Sequence, residues 1–140
     1  MAERAPDAPR HRVLIVDDEE ATRLLLAHIL TRDLDLEVQL AGTCEQALRL
    51  AGNYAYDTIL LDLMMPGIGG LEVLKDLRRA SPNTTTPVII VSVLAESATM
   101  QACLEAGASA YLVKPADRAT LAATVRAQIA SRRGPGRHDA

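Results

Sequence analysis

Four short apolar runs in this sequence each stop abruptly on a residue that can do chemistry. Val13-Leu14-Ile15-Val16 stops on Asp17-Asp18-Glu19-Glu20, and Thr58-Ile59-Leu60-Leu61 stops on Asp62. Val88-Ile89-Ile90-Val91 stops on Ser92, and Ala110-Tyr111-Leu112-Val113 stops on Lys114-Pro115. The first three, continuous apolar or β-branched runs bounded by turn chemistry, read as strands buried on both faces, and the fourth as a further strand. A fifth run, Leu36 to Leu40, alternates with period two and reads as a strand at an edge or open on one face.

Helical patterns separate the runs. Leu24, Leu25, His28 and Ile29 fall at helical spacing between Ala21 and Thr31, which places His28 as a packed or boundary residue without a chemical role. Thr43-Cys44-Glu45-Gln46 resembles a capping box, opening a helix that stops near Gly52. A third helix follows Gly70, with Leu71, Leu74 and Leu77 on one face and Pro82 closing it. A weaker one spans Glu96 to Ala106, its apolar side made of Ala98, Ala102, Cys103 and Ala106, with Gly107 as the stop. Asp117 caps a last helix carrying Leu121, Val125 and Ile129.

Five strands alternating with five helices, at intervals of about 22 to 30 residues, predict repeated βα units. These build a parallel sheet covered on both faces, with right-handed crossovers. An edge-like second strand outside the first predicts the order 2-1-3-4-5. Strands one and three are then neighbours at the switch point, where ligands bind in such sheets.

The 140 residues suit one domain at 12–131, with a disordered lead-in at 1–11 and a flexible tail or start of a linker at 132–140. Phe and Trp are absent, so Leu, Val, Ile and Ala must build the core. A net charge of -3 argues against nucleic-acid binding through bulk charge. Cys44 and Cys103 form neither a disulfide framework nor a metal-ligand spacing. The longest apolar run, Val88 to Ala95, is interrupted by Ser92 and is far short of the ~18 residues of a membrane span. With no secretion-signal pattern at the N-terminus, a cytoplasmic location is expected.

Asp17, Asp18 and Asp62 in one crevice would repel one another, so the cluster must take up a proton or bind a cation. All its side-chain donors are hard oxygens, and few protein ligands with retained waters suit Mg²⁺ better than Ca²⁺. Lys114 and Ser92 converge from neighbouring strand ends. A metal, an ammonium and a hydroxyl together form a receptor for a phosphoryl group. Asp62 supplies a carboxylate able to attack phosphorus.

Asp17-Asp18, Asp62 with Met65-Pro66 and Gly70, Ser92, and Lys114-Pro115 together resemble the response-regulator receiver domain, in order and at that family's spacing. The resemblance implies a flavodoxin-like, three-layer α/β/α fold. It implies a phosphoacceptor role for Asp62, and Mg²⁺ (or Mn²⁺) held by Asp17, Asp18, Asp62 and the Met64 backbone carbonyl. Lys114 would bind the phosphoryl group, with a cis Lys114-Pro115 bond. Ser92 would move toward that group and Tyr111 would turn inward with it, switching the face of helix four, strand five and helix five for an output partner. The donor would be a sensor histidine kinase or a histidine phosphotransfer protein, and the product a monomer or a phosphorylation-dependent homodimer. One departure is Val93, where the family usually has a small residue after the switch hydroxyl.

Two other functions compete. A haloacid-dehalogenase-like phosphohydrolase would also use Asp62 as nucleophile beside Mg²⁺. It needs a second aspartate two residues on, and Met64 stands there, with no cap domain over the substrate. A flavodoxin-like cofactor binder would place a phosphate against the acids of the first βα loop, which repel it, and no aromatic is placed to stack on a flavin. Gly67-Ile68-Gly69-Gly70 reads as a turn rather than a phosphate cradle, because the dinucleotide fingerprint belongs after the first strand.

Overall fold

The computed structural model describes residues 10–132. The expected lead-in and tail fall almost wholly outside the described residues. Five strands alternate with five helices: β1 (Arg12–Val16), α1 (Glu20–Leu34), β2 (Glu37–Ala41), α2 (Cys44–Asn53), β3 (Thr58–Leu61), α3 (Gly70–Arg79), β4 (Val88–Ser92), α4 (Ser97–Glu105), β5 (Ala110–Val113) and α5 (Arg118–Arg132). The strands form one sheet in the order β2-β1-β3-β4-β5. Every pairing is parallel. This is the sheet order the alternation predicts, with β2 at one edge.

Because strand residues alternate in direction, the inner strands feed two cores. Leu14, Val16, Ile59, Leu61 and Ile90 face Ala47, Ala51, Val73, Leu74, Leu77 and Cys103, the covering of α2, α3 and α4. Val13, Ile15, Leu60, Ile89 and Val91 face Leu26, Ile29, Leu30, Leu121, Val125 and Ile129 of α1 and α5. The three residues expected to bury α5 are all buried.

Helix α1 corrects the sequence reading. Its buried residues are Leu26, Ile29 and Leu30. Leu24 and Leu25 are more than half exposed, and His28 is exposed rather than packed. The segment from Leu24 to Leu30 is apolar at six of its seven positions, so periodicity alone could not choose its inner face.

Helix ends also differ in cause. The Gln46 N–H donates to Thr43 Oγ1 at 3.0 Å, as a capping box requires. The Gln46 side chain, however, accepts from Gly42 N–H at 2.9 Å instead of closing on Thr43. Helix α3 stops at Arg79, ahead of Pro82. There Ser81 donates to the Leu77 carbonyl at 2.9 Å and accepts from Asn83 N–H at 2.8 Å. Asn83 is fully buried and tightly bonded. Its amide donates to the Ala51 and Tyr54 carbonyls at 2.7 and 2.8 Å. Its oxygen accepts from Tyr56 N–H and from the Thr86 hydroxyl, both at 2.9 Å. In α4 only Cys103 is buried, so the other small residues of its expected apolar side contribute little.

Candidate phosphoryl-receiving site

Each chemically equipped residue sits at or just past the end of its strand, and the sheet's own hydrogen bonding fixes it there. Asp17 N–H donates to the Ala41 carbonyl at 3.1 Å, Asp62 N–H to Val16 at 3.0 Å, and Lys114 N–H to Ser92 at 2.8 Å. The ladder thus carries three side chains from β1, β3 and β5 to one edge of the sheet. A carboxylate oxygen from each of Asp17, Asp18 and Asp62 lies within 4.8 Å of the other two. Asp17 and Asp62 are buried while Asp18 is exposed, so the cluster opens to solvent on one side.

Lys114 spans the two buried acids. Its Nζ lies 2.7 Å from Asp17 Oδ2 and 3.3 Å from Asp62 Oδ2. The peptide bond to Pro115 is cis. The second oxygen of Asp17 accepts from Glu19 N–H at 2.9 Å, and that of Asp62 from Met64 N–H at 3.1 Å.

Burial pushes the Asp62 carboxyl above the usual aspartate range. The Met64 N–H and Lys114 oppose this, and the neighbouring Asp17 charge adds to it. Burial acts to lower the pKa of the Lys114 ammonium. Its hydrogen bond to Asp17 and the charges of Asp62 and Asp17 outweigh that effect and raise it. The carboxylates therefore stabilise the cation more than the pocket's dryness penalises it.

The turn after β3 needs glycine at two positions for conformation: Gly67 and Gly69 have φ of 95° and 84°. Gly70 is needed for space. A Cβ there would stand 2.3 Å from the Asp62 carbonyl oxygen and 2.7 Å from Leu63 Cα. The segment is the turn that its position in the sequence predicts.

Ser92 is fully buried at the end of β4, and its hydroxyl oxygen accepts from Leu94 N–H at 3.2 Å. The Tyr111 hydroxyl donates to the Leu94 carbonyl at 2.7 Å, and the half-buried ring packs on the core beside α4. Burial raises the Tyr111 pKa, with the nearby Ser92 hydroxyl opposing. Ser92 and Tyr111 thus both bond to Leu94, one through its N–H and the other through its carbonyl. Val93 points outward at 59% exposure, and Met64 is 54% exposed.

Three converging carboxylates with only oxygen donors fit a hard divalent cation. The neighbouring ammonium would hold an anionic ligand of that cation.

The sequence pattern of the response regulator receiver domain matches residues 13–126. This chain belongs to that family. Receiver domains are the phosphoacceptor modules of two-component systems, and they interact with histidine kinases or phosphotransfer proteins. Response regulator ArlR of Staphylococcus saprophyticus is 36% identical over 119 residues, covering 84% of this chain and 52% of ArlR. A CheY-like receiver domain from Methanospirillum hungatei superposes with a TM-score of 0.83 at 27% identity, covering 89% of this chain and 97% of that one. The receiver domain of sensor histidine kinase PA1611 from Pseudomonas aeruginosa gives 0.78 at 30% identity, covering 87% and 98%. That structure has a magnesium ion coordinated in its active-site cleft. The chain spans 16% of the sensory/regulatory protein RpfC of Xanthomonas campestris and 56% of the response regulator NarP of Escherichia coli.

Both cysteines of this receiver are free and buried. Among the described residues, no helix is long and apolar enough to cross a membrane. Sequence reading passed over Arg23, whose guanidinium donates to the Asp17 carbonyl at 2.8 Å. Arginine recognition of a main-chain oxygen leaves no motif.

Proposed function

We propose that Asp62 accepts a phosphoryl group from a phosphohistidine of a sensor kinase or phosphotransfer protein, and that the modification is read by an output partner. The observation that carries this is the Lys114 ammonium held between Asp17 and Asp62, at 2.7 and 3.3 Å, beside a three-carboxylate cluster. An Asp62 oxygen attacks phosphorus in line with the phosphoramidate bond. The O–P bond forms as the N–P bond breaks, and the imidazole leaves with the electron pair and takes up a proton from solvent. Lys114 moves its ion pairing from the aspartates to the phosphoryl oxygens. The Ser92 hydroxyl donates to another of these oxygens. A Mg²⁺ or Mn²⁺ ion bound by Asp17, Asp18, Asp62 and the Met64 carbonyl would supply charge neutralisation on the transferring group.

Tyr111 couples this chemistry to a surface. Its hydroxyl holds the loop that follows Ser92, so a shift of Ser92 alters the face made by α4, β5 and α5. That face is where an output partner, or a second phosphorylated copy, would dock. A cytoplasmic setting belongs to this reading and suits two buried free thiols. The hydrolase alternative is disfavoured, since the residue two past Asp62 is the apolar Met64 and not an acid.

The test is incubation with acetyl phosphate and Mg²⁺, followed by intact-mass measurement. The expected result is one added phosphoryl group, absent in Asp62→Asn and absent in EDTA. Continuous release of inorganic phosphate would support the hydrolase instead. No modification and no turnover would refute both.

A further inference from the structure

Asp17 is held by every polar group it has. Its N–H donates to Ala41, its two carboxylate oxygens accept from Glu19 N–H and Lys114, and its carbonyl accepts from Arg23 Nη1. The last of these bonds comes from outside the cluster. Arg23 lies in the first turn of α1, and its side chain reaches back over the β1–α1 loop. Its guanidinium lies against Gly42, in the loop between β2 and α2. A Cβ at Gly42 would be 2.8 Å from Nη1 and 3.2 Å from Cζ of Arg23. Gly42 is not among the glycines with positive φ, so backbone freedom does not explain it. What its missing side chain provides is room for the guanidinium. The Gly42 N–H is fixed in turn by the Gln46 side chain at 2.9 Å.

We infer that Arg23, seated on Gly42, is a positioning residue for the metal-binding acid pair. This rests on the reading of Asp17 and Asp18 as metal ligands. The guanidinium ties two loops from adjacent strand ends through the main chain of Asp17. It thereby fixes the direction in which Asp17 and Asp18 leave β1 before any cation arrives. A divalent ion needs both carboxylates placed at once, and outer partners that orient ligands typically affect metal affinity by about 10- to 100-fold.

Charge and position predict opposite signs. If Arg23 acted only as a nearby positive charge, removing it would tighten Mg²⁺ binding, because the acidic cluster would become more negative. As a clamp, its removal weakens binding. Gly42→Ala separates the two again, since the charge stays while the added methyl displaces the flexible guanidinium.

The experiment is calorimetric titration of Mg²⁺ into the full chain for wild type, Arg23→Ala, Gly42→Ala and the double variant, with melting curves in EDTA to establish folding. The expected result is a Kd raised about tenfold in Arg23→Ala and raised also in Gly42→Ala. The double variant should be no weaker than Arg23→Ala, because the methyl then has no guanidinium to displace. Unchanged or tighter binding in folded Arg23→Ala would overturn the clamp, as would fully additive losses in the double variant. Wild-type protein that takes up no Mg²⁺ would overturn instead the reading of the acid pair on which the clamp rests. Should Arg23→Ala fail to fold, Gly42→Ala alone decides: a Kd equal to wild type refutes the inference.

Discussion

The Lys114 ammonium lies 2.7 Å from the Asp17 carboxylate although 97 positions separate them in sequence. This contact joins the ends of β1 and β5, and the same ammonium lies 3.3 Å from the Asp62 carboxylate. Lys114→Ala leaves those acids without it. The expected loss in metal-free protein is about 1–3 kcal/mol, the cost of stranding a buried charged partner. Mg²⁺ should then raise the melting temperature of Lys114→Ala more than that of wild type, because the ion replaces the missing charge. Urea denaturation in EDTA and in Mg²⁺ measures both. Equal stability of the two proteins in EDTA would contradict this.

Asp62 sets a pH dependence. Its folded pKa is raised above the ordinary value, chiefly by burial. The folded protein therefore holds that proton more tightly than the unfolded chain does. Stability from this group is fully present below the ordinary aspartate pKa and is lost as pH rises through the raised folded value. Asp62→Asn, which cannot ionise, should melt higher than wild type at pH 7 in EDTA. The difference should close as the pH falls into the range of ordinary aspartates. Melting curves against pH test this, and a lower melting temperature for Asp62→Asn at pH 7 would contradict it.

Gly70 faces backbone, not a flexible side chain, so an added methyl cannot be accommodated by a rotamer change. Gly70→Ala should cost about 1–3 kcal/mol. It should also slow phosphorylation by acetyl phosphate, because the atom displaced is the carbonyl of Asp62 itself. Unchanged stability with an unchanged rate would show that the turn is looser than the packing indicates.

Met64 and Leu94 stand two residues beyond Asp62 and Ser92, and neither can orient a water for attack on an acyl phosphate. The half-exposed Met64 leaves the cleft open but apolar at that point. Loss of the phosphoryl group after donor removal should therefore take hours, and Met64→Asn should speed it. Decay of the wild type within about a minute would show that another group supplies the missing general-base assistance.

Much of this arrangement could be read from the chain because the signals lay in single positions. A strand that stops on Asp, Ser or Lys marks its own end and the ligand side of the sheet together. Sheet order followed from one strand, β2, whose alternation betrayed an edge. Helix α1 was misread for the opposite reason. Leu24 through Leu30 offer too many apolar residues for periodicity to select Leu26, Ile29 and Leu30. Asn83, Arg23 and Gly42 were invisible because what each meets, the Ala51 and Tyr54 carbonyls, the Asp17 carbonyl and the Arg23 guanidinium, follows no residue spacing. Such contacts depend on where the backbone passes, which neither composition nor spacing records.

If acids from β1 and β3 share one divalent ion, anomalous scattering from crystals grown with Mn²⁺ will show a single strong peak bonded to carboxylate oxygens of the Asp17–Asp18 pair and of Asp62. A peak held by exposed acids of α1 without Asp62, or no peak at saturating Mn²⁺, would contradict it.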